Sequence, residues 1–141
     1  TSCVAVAEQI VPAGPIVSVI NRDGDTEVYR SHLSARKYPI AVLIDENSAS
    51  ASEILAGALQ DTGAATIVGT TSYGKGSVQA VMPLFHDDGL KLTIAKYITP
   101  NGRSIDGTGI TPDIAVDRAP ADTTDVQFEA AKKYLEEHPN L

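Results

Sequence analysis

The chain has 141 residues, of which 43% are hydrophobic, 5% aromatic and 21% charged. This length suits one domain with its own core, and a charged fraction near the globular norm of about 25% excludes wholesale disorder. The formal charge of −7 disfavours nucleic acid or an anionic membrane as a partner. A single cysteine excludes an internal disulfide and any multi-cysteine metal site. No apolar run approaches the ~20 residues of a membrane span, and no stretch has the pattern of a signal peptide.

The first third of the chain predicts a helix and a β-hairpin. Apolar residues from Cys3 to Val11 recur at helical spacing, and Pro12 follows them. Asp23-Gly24 between two apolar stretches is a strong hairpin signal. We therefore predict a helix at 3–11, strands at 16–20 and 26–29, and a polar loop at 31–38.

The middle of the chain predicts a βαβ unit. Residues 39–44 form a short apolar run typical of a strand buried on both faces. After a Ser/Ala run, apolar residues recur at helical spacing from Ile54 to Leu59, and Gly63 suits the end of that helix. The next buried strand is at 66–68, so the two strands should be parallel with the helix as a right-handed crossover.

The last part predicts a second hairpin, an ordered loop and a final helix. The strands should span 78–84 and 90–98, and the loop 99–113. A helix at 125–138 should turn Phe128, Ala131 and Leu135 inward. The whole pattern indicates an α/β class, a layered sheet with crossover helices and a β-hairpin, in a single domain over 1–141.

A serine-rich junction between strand and helix is the first candidate for chemistry. Ser50 lies in Asn47-Ser48-Ala49-Ser50-Ala51-Ser52-Glu53, just before the predicted helix. A serine on a sharp strand-to-helix turn is exposed, and the helix N-terminus stabilises developing negative charge. The alternative is structural, because Ser50-x-x-Glu53 is also the pattern of a helix capping box.

A glycine-rich segment at 69–77 is the second candidate. It nearly matches the phosphate-binding pattern G-x-x-x-x-G-K-[ST], but Gly76 replaces the hydroxyl residue that would hold magnesium. The residues that follow predict a strand, whereas a phosphate-binding loop opens a helix. A nucleotide site is therefore disfavoured, and Lys75 is either an ordinary turn lysine or a catalytic one.

A serine nucleophile needs a base, and the sequence favours a lysine over a histidine. None of the three histidines lies in a triad pattern, and His86 falls at a predicted hairpin tip beside Asp87 and Asp88, where a solvated turn is expected. A free lysine has a pKa of about 10.4, so a lysine base needs burial that lowers its pKa by about 3 units. We expect strands 66–68 and 78–82 to bury Lys75, with flanking glycines bending it inward.

These segments together resemble the carboxyl-terminal processing peptidases, also called tail-specific proteases. The resemblance covers nearly the whole chain. The segments that carry it are Ala5-Val6-Ala7-Glu8-Gln9, Ser48-Ala49-Ser50-Ala51-Ser52-Glu53-Ile54, Gln60-Asp61, Gly74-Lys75-Gly76-Ser77-Val78-Gln79, Asn101-Gly102-Arg103-Ser104-Ile105 and Gly109-Ile110-Thr111-Pro112-Asp113.

The resemblance implies a serine–lysine peptidase on a fold shared with the crotonases and Clp-type proteases. Ser50 would be the nucleophile, Lys75 the general base, Gln79 the residue that orients the lysine, and the Ala51 backbone N–H an oxyanion donor. A neutral partner such as Gln79 is chemically suitable, because a carboxylate would raise the lysine pKa. Residues 75 and 79 would share a face of a strand that begins early enough to include Lys75.

Asp61 also matches the family pattern, but helix geometry argues against a catalytic triad. It follows Ser50 by eleven residues, which places the two about 16 Å apart along a continuous helix. We expect Asp61 to be a structural support or a loop anchor.

The resemblance also implies parts that the chain lacks. Family members carry a PDZ domain upstream and a Gly-Gly segment just before the position of Thr1, which contributes to the oxyanion hole. We therefore expect this chain to be the C-terminal part of a catalytic domain. We expect the isolated chain to fold, to be essentially inactive, and to self-associate through a truncated sheet edge.

The function implied is that of a serine endopeptidase that cleaves near the C-terminus of protein substrates through an acyl-enzyme. The expected partners are proteins or peptides with apolar C-termini, with no metal, organic cofactor or nucleic acid. The family works outside the cytoplasm, in the periplasm, at the cell surface or in a lumen. The alternatives are a non-proteolytic ligand- or peptide-binding module on the same fold and an acyl-CoA enzyme of the crotonase type.

Overall fold

A computed structural model of the chain describes residues 2–34 and 38–139, with only the backbone of Asp87. It has the expected mixed α/β class. The elements are α1 (Ser2–Ala7), β1 (Gly14–Asn21), β2 (Thr26–Ser31), β3 (Ala41–Ile44), α2 (Ala51–Asp61), β4 (Thr66–Gly69), β5 (Ser77–Pro83), a 3₁₀ turn (Phe85–Asp87), β6 (Gly89–Ile98), β7 (Ile114–Ala115) and α3 (Val126–Glu137).

A three-stranded parallel sheet holds the centre of the fold, in the order β3-β4-β7. Strands β3 and β4 pair from Ala41 with Thr66 to Ile44 with Gly69, and α2 connects them, which confirms the predicted βαβ unit. Strand β7 was not predicted. It has two residues, too few to show a periodic pattern.

A four-stranded antiparallel sheet has the order β2-β1-β6-β5. Both predicted hairpins are present, β1 with β2 and β5 with β6. The β5–β6 ladder is irregular, because Val78 faces Ala95 whereas Gln79 faces Thr93. Ile94 is therefore an extra residue in β6, the arrangement of a β-bulge.

The core lies between α1, the inner side of β1, and α2 with its parallel strands. Burial of these side chains is the main favourable contribution to folding. Its fully buried apolar members include Ala7, Val11, Ile16, Leu59, Ile67, Ile105 and Ile110.

The structure corrects four of the sequence predictions. Helix α1 ends at Ala7, and the turns that follow carry Val11 into the core without further helix. Strand β3 is not buried on both faces, since Leu43 is 41% exposed. Phe128 of α3 does not turn fully inward and is 52% exposed, because α3 leaves an open apolar groove against β3. The predicted loop at 31–38 begins one residue later, because Ser31 is the last residue of β2. Residues 35–37 of that loop lie outside the described residues.

Candidate active site

Ser50 lies at the junction between β3 and α2, immediately before the helix. Its backbone adopts φ 56° and ψ −114°, a left-handed conformation that costs a non-glycine residue roughly 1–2 kcal/mol. Ser50 and Glu53 form a capping box, in which the Ser50 side chain faces the Glu53 N–H and the Glu53 carboxylate accepts from the Ser50 N–H. The structure therefore contains the predicted cap, and the strained backbone, of a kind that clusters at functional sites, favours a chemical role beside it.

Asp45 organises the loop that carries Ser50. Its Oδ1 accepts hydrogen bonds from the backbone N–H groups of Asn47, at 2.9 Å, and Ser48, at 3.1 Å. The hydrogen bond from the Asn47 N–H is the main cause that holds the pKa of the Asp45 carboxyl below its ordinary value of 3.8, and the bond from Ser48 adds to it. The Ser48 hydroxyl in turn accepts from the Asp45 N–H at 3.1 Å, which closes the turn.

The buried carboxylate of Glu53 joins the two candidate motifs. One oxygen, Oε2, accepts from the backbone N–H of Ser50 and from the backbone N–H of Lys75, both at 2.8 Å. The other, Oε1, accepts from the Gly74 N–H and the Ser72 hydroxyl, both at 2.6 Å. Glu53 is 0% exposed, so the structure brings the backbones of Ser50 and Lys75 to a single buried group.

The segment before Lys75 is fixed by further backbone contacts. The Ser72 hydroxyl accepts from the Ile110 N–H at 2.7 Å, and the Tyr73 N–H donates to the Ser48 carbonyl at 2.9 Å. Gly76 lies so close to the Asp106 backbone that a Cβ there would collide with it. A glycine is therefore required at this position.

Lys75 itself is exposed, which corrects the expectation that strands 66–68 and 78–82 bury it. The close contacts of Gly74 and Gly76 draw the backbone inward and leave the lysine side chain on the open side. The bend that the two glycines predict is present, but it directs the side chain into a cleft and not into the core.

That cleft has a volume of about 620 Å³ and is lined by two of the sequence candidates. Lys75 and Gln79 both line it, as does Ala49, the neighbour of Ser50, whereas Ser50 itself is not among the lining residues. In the part of the chain that the structure describes, no hydrogen bond joins the Lys75 ammonium to Ser50 or to Gln79. Strand β5 begins at Ser77, so Lys75 lies two residues before it. Pairing with β6 nevertheless extends to Gly76, whose carbonyl accepts from the Tyr97 N–H at 2.7 Å.

The backbone N–H of Ala51, the first residue of α2, is the nearest candidate oxyanion donor. Among the described residues none accepts a hydrogen bond from it. The start of α1 packs beside it, and the Cys3 thiol donates to the Ala51 carbonyl at 3.2 Å. Burial raises the pKa of the Cys3 thiol from its ordinary value of 9.0.

Asp61 lies at the far end of α2, which is one continuous helix. Its carboxylate accepts from the Asn101 N–H at 2.9 Å and pairs with the Arg103 guanidinium. Both contacts are to the loop after β6, at the end of α2 away from Ser50.

Other candidate features take no part in this site. His86 lies in the turn between β5 and β6 and is exposed, as expected. Over the described ranges, no cluster of three or more His, Cys, Asp or Glu side chains could hold a metal ion. No helix in that part of the chain is long and apolar enough to cross a membrane.

Sequence reasoning missed the role of Glu53 and Ser72. Glu53 could be interpreted only as a helix-capping residue, because its partners at 72–75 are distant along the chain. The available signal was its position: the apolar pattern of α2 turns this acidic residue toward the core. A buried acidic residue requires partners.

A model of peptidase family S41 matches residues 1–116. The chain is 49% identical over 118 residues to a carboxy-terminal-processing protease of Bartonella bacilliformis, covering 82% of this chain and 27% of that protein. It is 40% identical over 140 residues to a carboxyl-terminal-processing protease of Synechocystis sp., covering 92% of this chain and 32% of the relative. The chain thus spans about a third or less of the length of these curated relatives.

Solved structures agree with the fold. The photosystem II D1 C-terminal processing protease superposes with a TM-score of 0.74 at 37% identity, over 82% of this chain and 31% of that one. The tricorn protease superposes with a TM-score of 0.60 at 18% identity, over 95% of this chain and 14% of that one, which shows likeness of fold alone. The α/β layered fold is therefore that of the S41 proteases.

Proposed function

We propose that this chain, which belongs to peptidase family S41, carries the Ser50–Lys75 catalytic dyad of a serine endopeptidase that cleaves near the C-terminus of protein substrates. The observation that carries the proposal is the Glu53 carboxylate, whose Oε2 accepts from the Ser50 and Lys75 N–H groups, both at 2.8 Å. A ligand-binding module has no need of this link between a strained serine and a cleft lysine.

In the proposed reaction, Ser50 Oγ attacks the scissile carbonyl carbon while neutral Lys75 Nζ accepts the hydroxyl proton. The resulting ammonium donates this proton to the leaving amine, which breaks the peptide bond and leaves an ester on Ser50. Water, activated by the same lysine, then hydrolyses the ester and regenerates the serine. Gln79 accepts a hydrogen bond from the Lys75 amine and orients it toward Ser50.

Two features of the site support this chemistry. Ala51 is the first residue of α2, and no described residue accepts a hydrogen bond from its N–H, which can therefore donate to the developing oxyanion. One such donor typically contributes about 2.7–4 kcal/mol to stabilising the transition state. Lys75 lines an open cleft, so a bound peptide covers it and excludes water. Substrate binding then supplies the desolvation that the free cleft lacks.

Asp61 acts as a structural support in this proposal. Its contacts with Asn101 and Arg103 hold the loop after β6, and a continuous α2 separates it from Ser50 by about 16 Å. Substitution of Asp61 should therefore lower stability before it lowers the rate of the chemical step.

The finer properties follow from the family resemblance and stay predictions. The substrates are proteins with apolar C-termini, and the protein works outside the cytoplasm. The isolated 141-residue chain folds with little activity and self-associates along an open sheet edge such as that of β3, which sedimentation velocity would measure. Cell fractionation tests the location.

The test of the dyad uses the protein produced from its full gene. A fluorophosphonate should label Ser50, and Ser50→Ala or Lys75→Ala should each remove labelling and peptide cleavage. The double variant should be no slower than either single variant, because a nucleophile and its base act as a unit. Full labelling in the Lys75→Ala variant would contradict the dyad, and Lys132→Gln on the exposed face of α3 serves as the control.

A further inference from the structure

The cleft beside Ser50 holds a lysine besides the proposed base, in a chain whose net charge is −7. Lys75 and Lys91 both line it, and the acidic lining residue Asp106 is paired with Lys96 at 3.2 Å. Within the described ranges Lys91 forms no ion pair. The cleft therefore presents a cation that the proposed chemistry does not use.

The bulge in β6 is what turns Lys91 toward the cleft. Ser77 faces Lys96, but after the extra residue Ile94 the pairing shifts, so that Val81 faces Lys91. Side chains alternate between the faces of a strand, so without the bulge Lys91 would lie on the opposite face from Ser77 and Gln79. Bulges commonly re-aim a side chain in this way next to active sites.

We propose that Lys91 determines specificity by binding a carboxylate of the peptide substrate, an inference that rests on the proposed peptidase function. Lysine suits this task, because its ammonium is a compact charge with three donors and tolerates varied approach. Once the bound peptide covers the cleft, a carboxylate gains more from such a partner than it would in water.

The distance along the sheet sets where that carboxylate lies in the substrate. Val81, which faces Lys91, follows Lys75 by six residues, and at about 3.3 Å per residue of extended chain this is about 20 Å. An extended peptide covers this with about six residues. The recognised carboxylate is therefore within about six residues of the scissile bond, either the C-terminal carboxylate or an Asp or Glu side chain.

Binding to the Ser50→Ala variant of the full protein tests this without turnover. Three fluorescent peptides share one apolar sequence and end in a free carboxylate, an amide, or a glutamate followed by an amide. Anisotropy titrations should give a Kd for at least one carboxylate peptide about tenfold lower than for the plain amide. Adding Lys91→Gln should raise that Kd about tenfold and change the amide Kd less than about twofold.

Matched variants separate charge from folding. Lys91→Arg should restore most of the affinity, and Lys132→Gln on α3 should leave every Kd unchanged. In the active enzyme, Lys91→Gln should raise KM for the carboxylate peptide with kcat nearly constant.

The peptide with a free C-terminus and the peptide with a glutamate side chain show which carboxylate is recognised, and tighter binding of either one supports the proposal. Equal Kd values for the carboxylate and amide peptides would overturn it, as would a carboxylate preference that survives Lys91→Gln. These binding outcomes do not depend on cleavage. A failure of the dyad appears instead as persistent labelling or activity in the Ser50 and Lys75 variants.

Discussion

The β3–α2–β4 unit and the β5–β6 hairpin contribute to the same cleft but are held in different ways. The first is packed on the core, where Ile67 and Leu59 are 0% and 1% exposed, and buried Glu53 links it to Lys75. The hairpin is held by its strand ladder, and beyond Gln79 it exposes apolar side chains such as Val81, at 69%, and Phe85, at 90%. The backbones of nucleophile and base are thus fixed by buried contacts, whereas Gln79 and Lys91 are positioned by strand pairing.

Removing Glu53 should have the largest effect, because it breaks the link between the two regions. Glu53→Ala leaves four donors without their acceptor in a buried site, and we expect a loss of about 3–5 kcal/mol in the free energy of unfolding. Glu53→Gln should also lower the free energy of unfolding, since in either orientation its amide NH₂ would face at least one backbone N–H donor.

Both Glu53 variants should lose activity even where they remain folded. The measurements are urea unfolding and kcat at a temperature well below each variant's Tm, with the exposed Glu136→Gln as control. Wild-type kcat in a folded Glu53 variant would show that the carboxylate stabilises the fold without placing the dyad.

A pair of truncations tests the contrast in packing. Ile67→Ala in β4 should lower the free energy of unfolding by about 2–5 kcal/mol, because it leaves a cavity in the core. Phe85→Ala at the hairpin turn should change it by less than about 0.5 kcal/mol, since that ring is 90% exposed. Similar losses in the two variants would mean that the Phe85 ring is covered in solution.

Gln79→Ala should separate orientation from stability. The side chain is exposed, so Tm should stay the same, while kcat should fall about 10- to 100-fold. This is at the low end of the ~10²–10⁴ typical of general acid–base catalysis, because Gln79 orients the base and transfers no proton. Thr93→Ala, on the facing strand, is the matched control. An unchanged kcat would remove Gln79 from the mechanism.

The smallest expected effect is a pH dependence from Asp45. Its pKa in the folded protein lies below the ordinary 3.8, so its contribution to stability is complete above about pH 4 and is lost as the pH falls through the lowered value. Asp45→Asn should therefore lower Tm slightly at neutral pH, and the difference from wild type should shrink in acid. A difference in Tm that is constant with pH would show that ionisation of Asp45 does not stabilise the loop.

Local pattern was sufficient to predict most elements of this protein. The apolar run before Ser50, the helical spacing after it and the Asp23-Gly24 turn predict β3, α2 and the first hairpin, because each depends on residues close in sequence. The local motifs drew attention to Ser50 and Lys75, and the family resemblance implied their roles and added Gln79. The structure adds that Lys75 and Gln79 line one cleft next to Ser50, and their catalytic roles remain proposals.

Tertiary structure decided what depends on residues far apart in the chain. The pairing of β7 with β4, the exposure of Lys75, the four hydrogen bonds of Glu53 and the bulge that turns Lys91 to the cleft all arise from segments that meet only after folding. A periodic pattern indicates which side of an element is buried, but not which distant backbone group will need an acceptor there. The sequence determined the elements and the candidate chemistry, and packing decided which polar groups face one another, because buried donors and acceptors must be paired wherever the fold brings them.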